Sequence, residues 1–228
     1  MKSFLSKVSI FVLLIPFGCK SPPEPVTRIV DYNYFVTLPK DYDQRESCPL
    51  ILYLHGAGMG SLDTTYHNAY GIGLYAEQHE DFPFIVVAPQ SSDEWFTEPL
   101  KNILDEVINE FKVDEDRMYC SGYSLGGYGT FLMAFDYPTL FAAIAVVSGY
   151  GLPDKACTIK YLPVWMFHDS GDPEVPFYMA QDMEQALKNC GGDVRFSTFN
   201  LNSHGTHAEA YSGAELYEWF LSHSRDGG

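Results

Sequence analysis

The stretch from Gly122 to Gly126 reads Gly-Tyr-Ser-Leu-Gly, and it follows an apolar run at Arg117 to Ser121 and precedes a helical pattern. A sharp strand-to-helix turn can hold a serine with its hydroxyl projecting, and small flanking residues relieve the crowding that such a turn creates. This spacing is typical of nucleophilic acyl transfer, with Ser124 as the attacking group.

Two loops further along the chain offer the groups that an attacking serine needs. A serine hydroxyl becomes a good nucleophile when an imidazole accepts its proton and a carboxylate fixes the imidazole tautomer. The loop from Asp169 to Pro176 carries three carboxylates, and the stretch from Asn202 to His207 carries two histidines. Their order along the chain, serine then acid then histidine, is the one that accompanies a strand-to-helix serine turn.

Short apolar runs alternate with helical patterns through most of the chain, which predicts a mostly parallel central sheet with helices on both faces. Functional side chains of such sheets gather at the carboxyl ends of the strands. The predicted strands are Tyr34 to Leu38, Leu50 to His55, Phe84 to Ala88, Arg117 to Ser121, Ala142 to Ser148, Val164 to His168 and Val194 to Phe199. The predicted helices are Leu100 to Phe111, Gly126 to Phe135, Pro176 to Asn189 and Ala208 to Ser222.

Several of these stretches together resemble the dienelactone-hydrolase-related esterases of the α/β-hydrolase superfamily, a group once labelled predicted peptidases. The resemblance implies an α/β-hydrolase fold and a serine esterase that works through an acyl-enzyme, with neither cofactor nor metal. It covers nearly all of the chain after the N-terminal segment. The stretches that carry it are Leu52 to Gly58, Asp81 to Gln90, Gly122 to Thr130, Val164 to His168, Asp172 with Val175-Pro176, and Gly191 to Phe196.

The resemblance implies that Asp172 is the triad acid, because the family pattern Phe-His-Gly-x-x-Asp-x-x-Val-Pro places its aspartate there. Asp169 occupies the glycine of that pattern, and we expect it to be a solvated loop carboxylate.

The family's base lies in a pattern resembling Gly-His-x-x-Trp-x-x-Ala-Tyr, and alignment on Ala210-Tyr211 selects His204. This sequence has Ser203 in place of the glycine and His207 in place of the tryptophan. His207, one helical turn away, is expected to line the pocket, although it is the alternative base. His55 and His168, each at a strand end, are expected to be structural and to bond local backbone groups.

A tetrahedral oxyanion requires two backbone donors. The turn geometry implies that the Leu125 amide is one of them. The resemblance implies that the loop His55 to Gly58 supplies the other through the Ala57 amide; the alternative is that its glycines only form a tight turn.

Substrate contacts are expected from Trp95, Tyr123 and His207. Trp95 matches a family aromatic near the active-site mouth, where a ring suits a sugar or phenolic acyl group; packing is the alternative. The resemblance implies acetyl or feruloyl esters on carbohydrates as substrates. A peptidase of the same fold is one alternative, and a non-catalytic carbohydrate-binding lipoprotein is another.

Composition narrows the range of partners. The 228 residues carry a formal net charge of −16 and are 46% hydrophobic, which suits one catalytic domain. Such acidity argues against nucleic-acid binding, which usually needs a basic face, and favours neutral or weakly charged substrates.

The N-terminal residues predict export. Lys2 and Lys7 precede the apolar run Val8 to Phe17, which is too short to cross a membrane and matches a secretory signal over residues 1–18. Gly18-Cys19 resembles a bacterial lipoprotein cleavage site, with Cys19 as the lipid attachment. Residues 19–28 would be a lipid-anchored, Pro-rich linker and residues 29–228 the catalytic domain. Simple secretion is the alternative.

The four cysteines after Cys19 allow disulfides in an exported protein. Cys120 ends an apolar strand beside Ser124, where a buried thiol is expected, so two disulfides are not favoured. Cys157 with Cys190 is the pairing that we predict. The spacing shows no pattern typical of a zinc site.

If Cys19 carries the lipid, Cys19→Ala should convert a membrane-associated protein into a soluble exported one, because the lipid loses its attachment thiol. Metabolic labelling with a fatty acid, followed by fractionation, measures this. An unlabelled wild-type protein would exclude lipidation and leave simple secretion.

Overall fold

A computed structural model describes residues 32–59 and 71–225. The predicted signal, Cys19 and the linker lie outside the described residues. None of the helices in the described ranges is long and apolar enough to cross a membrane.

A seven-stranded sheet forms the centre of the domain, in the order β1-β3-β2-β4-β5-β6-β7. β1 pairs with β3 antiparallel, and every other neighbouring pair is parallel. The predicted α/β fold class is therefore confirmed. The strands are β1 (Asn33–Thr37), β2 (Cys48–Leu54), β3 (Ile85–Gln90), β4 (Val113–Tyr123), β5 (Ala143–Val147), β6 (Val164–Asp169) and β7 (Val194–Phe199).

Helices cover both faces of this sheet, because successive residues of a strand point to opposite sides and both sides are apolar. In β2, for example, Leu52 belongs to one hydrophobic core and Ile51 to the other. The first core includes residues of α2 (Thr97–Glu110), α3 (Leu125–Asp136) and α4 (Phe177–Asn189). The second includes residues of α1 (Ile72–Gln78), α5 (His207–Tyr211) and α6 (Glu215–Leu221).

The structure corrects one helix prediction and adds a helix that was not predicted. The single helix predicted over Ala208 to Ser222 is two helices, α5 and α6, which end and begin on either side of Gly213, a poor helix former. α1 was not predicted, because Gly71 and Gly73 interrupt its short apolar pattern. Two 3-10 segments, Tyr42–Gln44 and Pro153–Ile159, were not predicted either. Each predicted strand is present with shifted ends, except Val194–Phe199, which matches.

A disulfide joins Cys157 in the second 3-10 segment to Cys190 at the end of α4, as predicted. Cys48 and Cys120 are buried free thiols. Burial raises the pKa of the Cys120 thiol to about 12, so it stays protonated.

Candidate active site

The loops that carry the candidate residues meet at one edge of the sheet. β4, β5, β6 and β7 run parallel in neighbouring positions, so their carboxyl ends lie side by side. Ser124 follows β4, the acid loop follows β6 and the histidine loop follows β7. The topology alone therefore brings the three together.

Ser124 occupies a strained turn between β4 and α3. Its backbone has φ 56° and ψ −116°, a conformation that a non-glycine residue rarely adopts. A Cβ added to Gly122 would lie 2.1 Å from the Gly126 carbonyl oxygen, and one added to Gly126 would lie 1.9 Å from the Leu54 carbonyl oxygen. Only glycines allow the backbone segments to approach so closely, which explains why both flank the serine.

His204 bridges the serine and an aspartate. Its Nε2 lies 2.8 Å from Ser124 Oγ, and its Nδ1 lies 2.7 Å from Asp172 Oδ2. Because a carboxylate faces Nδ1, that nitrogen carries the proton, and Nε2 is left to accept the serine hydroxyl. This is the arrangement that activates a serine nucleophile.

Asp172 is held by its own loop. Its Oδ1 accepts hydrogen bonds from the backbone N–H of Glu174, at 2.8 Å, and of Val175, at 3.0 Å. The side chain is fully buried, with 0% exposure. Its Oδ2 is thereby left to point at His204.

His168 backs the carboxylate as a structural residue. Its Nε2 lies 3.0 Å from the Val175 carbonyl oxygen, to which it donates, and 3.5 Å from Asp172 Oδ2. Burial lowers the pKa of the ring, more than the nearby acceptors raise it. His168 therefore acts as a neutral donor, in keeping with the expected structural role.

His55 likewise orders the loop after β2. Its Nδ1 donates to the Gly56 carbonyl oxygen at 2.8 Å, and its Nε2 accepts from the Ser91 backbone N–H at 3.1 Å. Burial lowers its pKa, which keeps Nε2 free to accept. The predicted backbone partners of His55 are present.

The two candidate oxyanion donors follow β2 and β4, which are parallel neighbours in the sheet. Leu125 is the first residue of α3, where helix amides have no intrahelical partner. Ala57 lies exposed in the turn after β2. A Cβ added to neighbouring Gly56 would lie 2.9 Å from the Tyr123 ring, so this turn packs directly against the residue before the serine.

Trp95 does not sit at an open mouth, and its expected substrate contact is wrong. The side chain is only 4% exposed. Its Nε1 donates to the His55 carbonyl oxygen at 3.2 Å, and its ring packs against the position of Gly129 in α3. The Trp95 side chain therefore holds the loop after β2 in place, in agreement with the alternative that Trp95 has a packing role.

Tyr123 also turns inward, contrary to the expected substrate contact. It is 9% exposed, and its hydroxyl donates to the His204 carbonyl oxygen at 3.2 Å. Sequence reasoning missed a second hydroxyl there: Ser148, fully buried after β5, donates to the same oxygen at 3.0 Å and contacts the Thr206 hydroxyl. No local sequence signal marks Ser148, because its partner lies 56 residues away.

His207 is the first residue of α5. Its ring centroid lies 4.6 Å from that of Tyr123, and burial lowers its pKa. With residues of α1 and α5 it lines a cavity of about 310 Å³. The residues that line this cavity do not include Ser124, Asp172 or His204, so the substrate contact expected for His207 stays a prediction.

Asp169 is not a solvated loop carboxylate, and that expectation is corrected. The residue ends β6 with 0% exposure. Its Oδ1 accepts from the Gly171 N–H at 2.7 Å, and its Oδ2 accepts from the Leu201 N–H. The carboxylate is buried because two loops fold over it, which local sequence does not reveal.

Across residues 32–59 and 71–225, no group of three or more His, Cys, Asp or Glu side chains could hold a metal ion. The side chains at the carboxyl edge instead form a serine–histidine–aspartate chain.

The sheet order, the strained serine turn and this chain of side chains define an α/β-hydrolase. A family model described as "Putative esterase" matches residues 30–223, and the chain belongs to this esterase family.

Known proteins agree with this assignment. A solved thermostable esterase is 28% identical with a TM-score of 0.72, over 84% of this chain and 59% of that one. The Pyrococcus horikoshii acylaminoacyl peptidase, 17% identical with a TM-score of 0.62 over 84% of this chain and 38% of that one, shares the fold.

The chain is also similar to parts of two longer curated proteins. "Probable feruloyl esterase C" of Aspergillus terreus is 24% identical, over 70% of this chain and 63% of that protein. "Dipeptidyl-peptidase 5" of Porphyromonas gingivalis is 27% identical, over 60% of this chain and 22% of that protein. The chain thus spans less than two thirds of either relative.

The contacts of the two histidines predict different kinetic effects. His204→Ala should lower kcat by about 10⁴- to 10⁶-fold, because no other group accepts the serine proton. His207→Ala should change mainly KM, because its ring lines a cavity, whereas the hydrogen bonds to Ser124 and Asp172 come from His204. Steady-state kinetics on p-nitrophenyl acetate measures both. The reverse ranking would make His207 the base.

Proposed function

We propose that the protein hydrolyses carboxylic esters through Ser124, His204 and Asp172. The observation that carries this proposal is the continuous hydrogen-bond chain from Ser124 Oγ through His204 to Asp172, with links of 2.8 and 2.7 Å. Membership of the esterase family supports the ester as the bond that is cleaved.

The proposed reaction has two acyl transfers. Ser124 Oγ attacks the ester carbonyl carbon while His204 Nε2 takes the hydroxyl proton, and Asp172 stabilises the imidazolium that results. The tetrahedral intermediate collapses, the C–O bond to the alcohol breaks, and His204 returns its proton to the leaving alcohol. Water then attacks the acyl-serine by the same route and releases the carboxylic acid.

The oxyanion of each intermediate needs donors that are already in place. We assign this role to the Leu125 amide, from the geometry of the serine turn, and to the Ala57 amide, from the family resemblance. The strain at Ser124 and the contacts of His55 and Trp95 hold the two segments in fixed positions. Each donor of this kind contributes about 10²- to 10³-fold to kcat.

Esters of carbohydrates are the proposed natural substrates. The relative from Aspergillus terreus is named a feruloyl esterase, and another match, 27% identical over 62% of this chain and 21% of that protein, is the bifunctional acetylxylan esterase/xylanase of Neocallimastix patriciarum. A peptidase is the second candidate, because "Dipeptidyl-peptidase 5" also matches. Parallel assays on feruloyl, acetyl and peptide substrates separate the two.

We further propose that the enzyme acts outside the cytoplasm, as a lipid-anchored or secreted protein. The predicted signal over residues 1–18 and Cys19 support this proposal. The disulfide between Cys157 and Cys190 is consistent with an oxidising compartment.

The nucleophile assignment predicts that Ser124→Ala abolishes hydrolysis of p-nitrophenyl acetate, because no other group replaces the hydroxyl. The fold should persist, since only one oxygen is removed. Turnover and fluorophosphonate labelling measure the loss, and circular dichroism checks the fold. Retention of more than a few per cent of the activity, or labelling of the variant at the wild-type rate, would refute the assignment.

The position of the Glu174 carboxylate near His204 predicts that the enzyme prefers uncharged esters. Glu174 Oε2 lies 3.9 Å from His204 Nε2, and the side chain is 70% exposed. A negative charge there should repel a substrate carboxylate by up to about 1 kcal/mol in a well-solvated setting, and salt should weaken the effect. Neutral acetyl or feruloyl groups avoid this penalty.

Glu174→Gln should therefore raise kcat/KM for an anionic ester, p-nitrophenyl hemisuccinate, by about threefold to fivefold at low salt. The value for p-nitrophenyl acetate should stay within about twofold when measured on the alkaline plateau of the pH profile. Glu115→Gln is the matched control, because Glu115 is exposed at the opposite end of β4. Equal changes for the two esters, or no salt dependence, would argue against the charge effect.

A further inference from the structure

Asp169 is a buried carboxylate that the triad does not use. Its side chain is fully enclosed, and its hydrogen-bond partners are backbone N–H groups. Oδ1 accepts from Gly171 at 2.7 Å and Oδ2 accepts from Leu201. The N–H groups of Asn202 and Ser203 also lower the pKa of this carboxylate. A buried ionised group persists only when donors of this kind replace water.

These donors belong to the two loops that carry the triad. Gly171 directly precedes Asp172, and the residues 201–203 directly precede His204. The Leu201 N–H donates to Asp169 from the base loop, and the Gly171 N–H donates from the acid loop. Asn202, next to Leu201, has a left-handed φ of 51°. The carboxylate is therefore the common acceptor of the acid loop and the base loop.

The two loops are also in direct contact at this point. A Cβ added to Gly171 would lie 2.5 Å from Asn202 Oδ1 and 3.2 Å from Asn202 Cα. Removing the carboxylate would leave the Gly171 and Leu201 N–H groups without this acceptor. The loops would then have to separate, or rotate their amides toward water, to recover these bonds.

The charge state of Asp169 agrees with this geometry. Burial alone would raise its pKa, but the hydrogen bonds from Leu201, Gly171, Ser203 and Asn202 outweigh burial and lower the pKa. The Asp169 carboxylate is therefore ionised at neutral pH.

On the far side of His204 the loop has a second anchor. The His204 carbonyl oxygen accepts from the Ser148 and Tyr123 hydroxyls, at 3.0 and 3.2 Å. The base loop is therefore held at two points: at Leu201, which bonds to Asp169, and at the His204 carbonyl oxygen, which accepts from the two hydroxyls.

We propose that Asp169 is a positioning residue for the catalytic base: its carboxylate joins the Leu201 amide of the base loop to the Gly171 amide of the acid loop and so sets the distance between His204 and Ser124. This inference rests on the proposed function. Asp169 touches neither substrate nor the reacting atoms, and it acts only through His204 and Asp172.

The test is Asp169→Asn, which keeps the shape, removes the charge and turns an amide NH₂ toward groups that are themselves donors. The kcat for p-nitrophenyl acetate should fall about 10²-fold, the usual effect of displacing a catalytic group by about 1 Å, with KM within about threefold. Asp182→Asn is the control for charge loss, because Asp182 is exposed on α4. It should keep the wild-type kcat.

Active-site titration with a fluorophosphonate distinguishes positioning from loss of folded protein. Positioning predicts that every Asp169→Asn molecule is titrated in the end, but at a slow rate per site. A merely structural role predicts a reduced titratable fraction that turns over at the wild-type rate, and that result would overturn the inference. A wild-type kcat for Asp169→Asn would overturn it as well.

A second variant covers the case in which the asparagine is not accommodated. Asp169→Ser also removes the charge and keeps a short acceptor, so its kcat per titrated site should also fall, by about tenfold or more. If neither variant folds, Asp169 acts in folding and the positioning role is wrong. If wild-type protein itself is not titrated, the proposed function fails instead, which separates the two failures.

Discussion

The hydrogen bond between His204 and Asp172 is the interaction on which the rest of the site depends. A neutral imidazole can accept the Ser124 proton only if Nδ1 is protonated, and the carboxylate at 2.7 Å fixes that tautomer. The bond joins loops that follow β6 and β7, while the serine belongs to β4. The parallel sheet brings these loops to one edge, but only buried side chains between them can set distances to a few tenths of an ångström.

The sequence was sufficient to predict the parts of the site that depend on local chemistry. The turn at Ser124 is marked by its glycines, which two close backbone approaches require. The positions of Asp172 and His204 followed from family-like patterns, and the structure brings both within hydrogen-bond distance of each other. Strand positions followed from apolar runs, because strands that are buried on both faces are mostly apolar.

What could not be predicted depends on contacts between distant segments. Trp95 looked like an exposed aromatic because nothing nearby shows that Gly129 and the His55 carbonyl enclose it. Asp169 looked like a loop carboxylate because its second partner, Leu201, lies 32 residues away. Neither error came from the wrong residue type. In both cases the sequence did not show which backbone groups of a distant segment the side chain would bond to.

The three loops use buried polar groups in a common way. His55 and Trp95 hold the turn that carries Ala57. Two amides of its own loop donate to Asp172. Asp169 accepts hydrogen bonds from the Gly171 and Leu201 amides. Loops rich in polar backbone cannot be rigid through apolar packing alone, because each buried N–H and C=O needs a partner. Side chains that bond to these backbone groups hold the loops in fixed positions, so the reacting side chains do not have to. A site of this kind is preorganised before the ester arrives, so little of the substrate's binding energy is spent on ordering it.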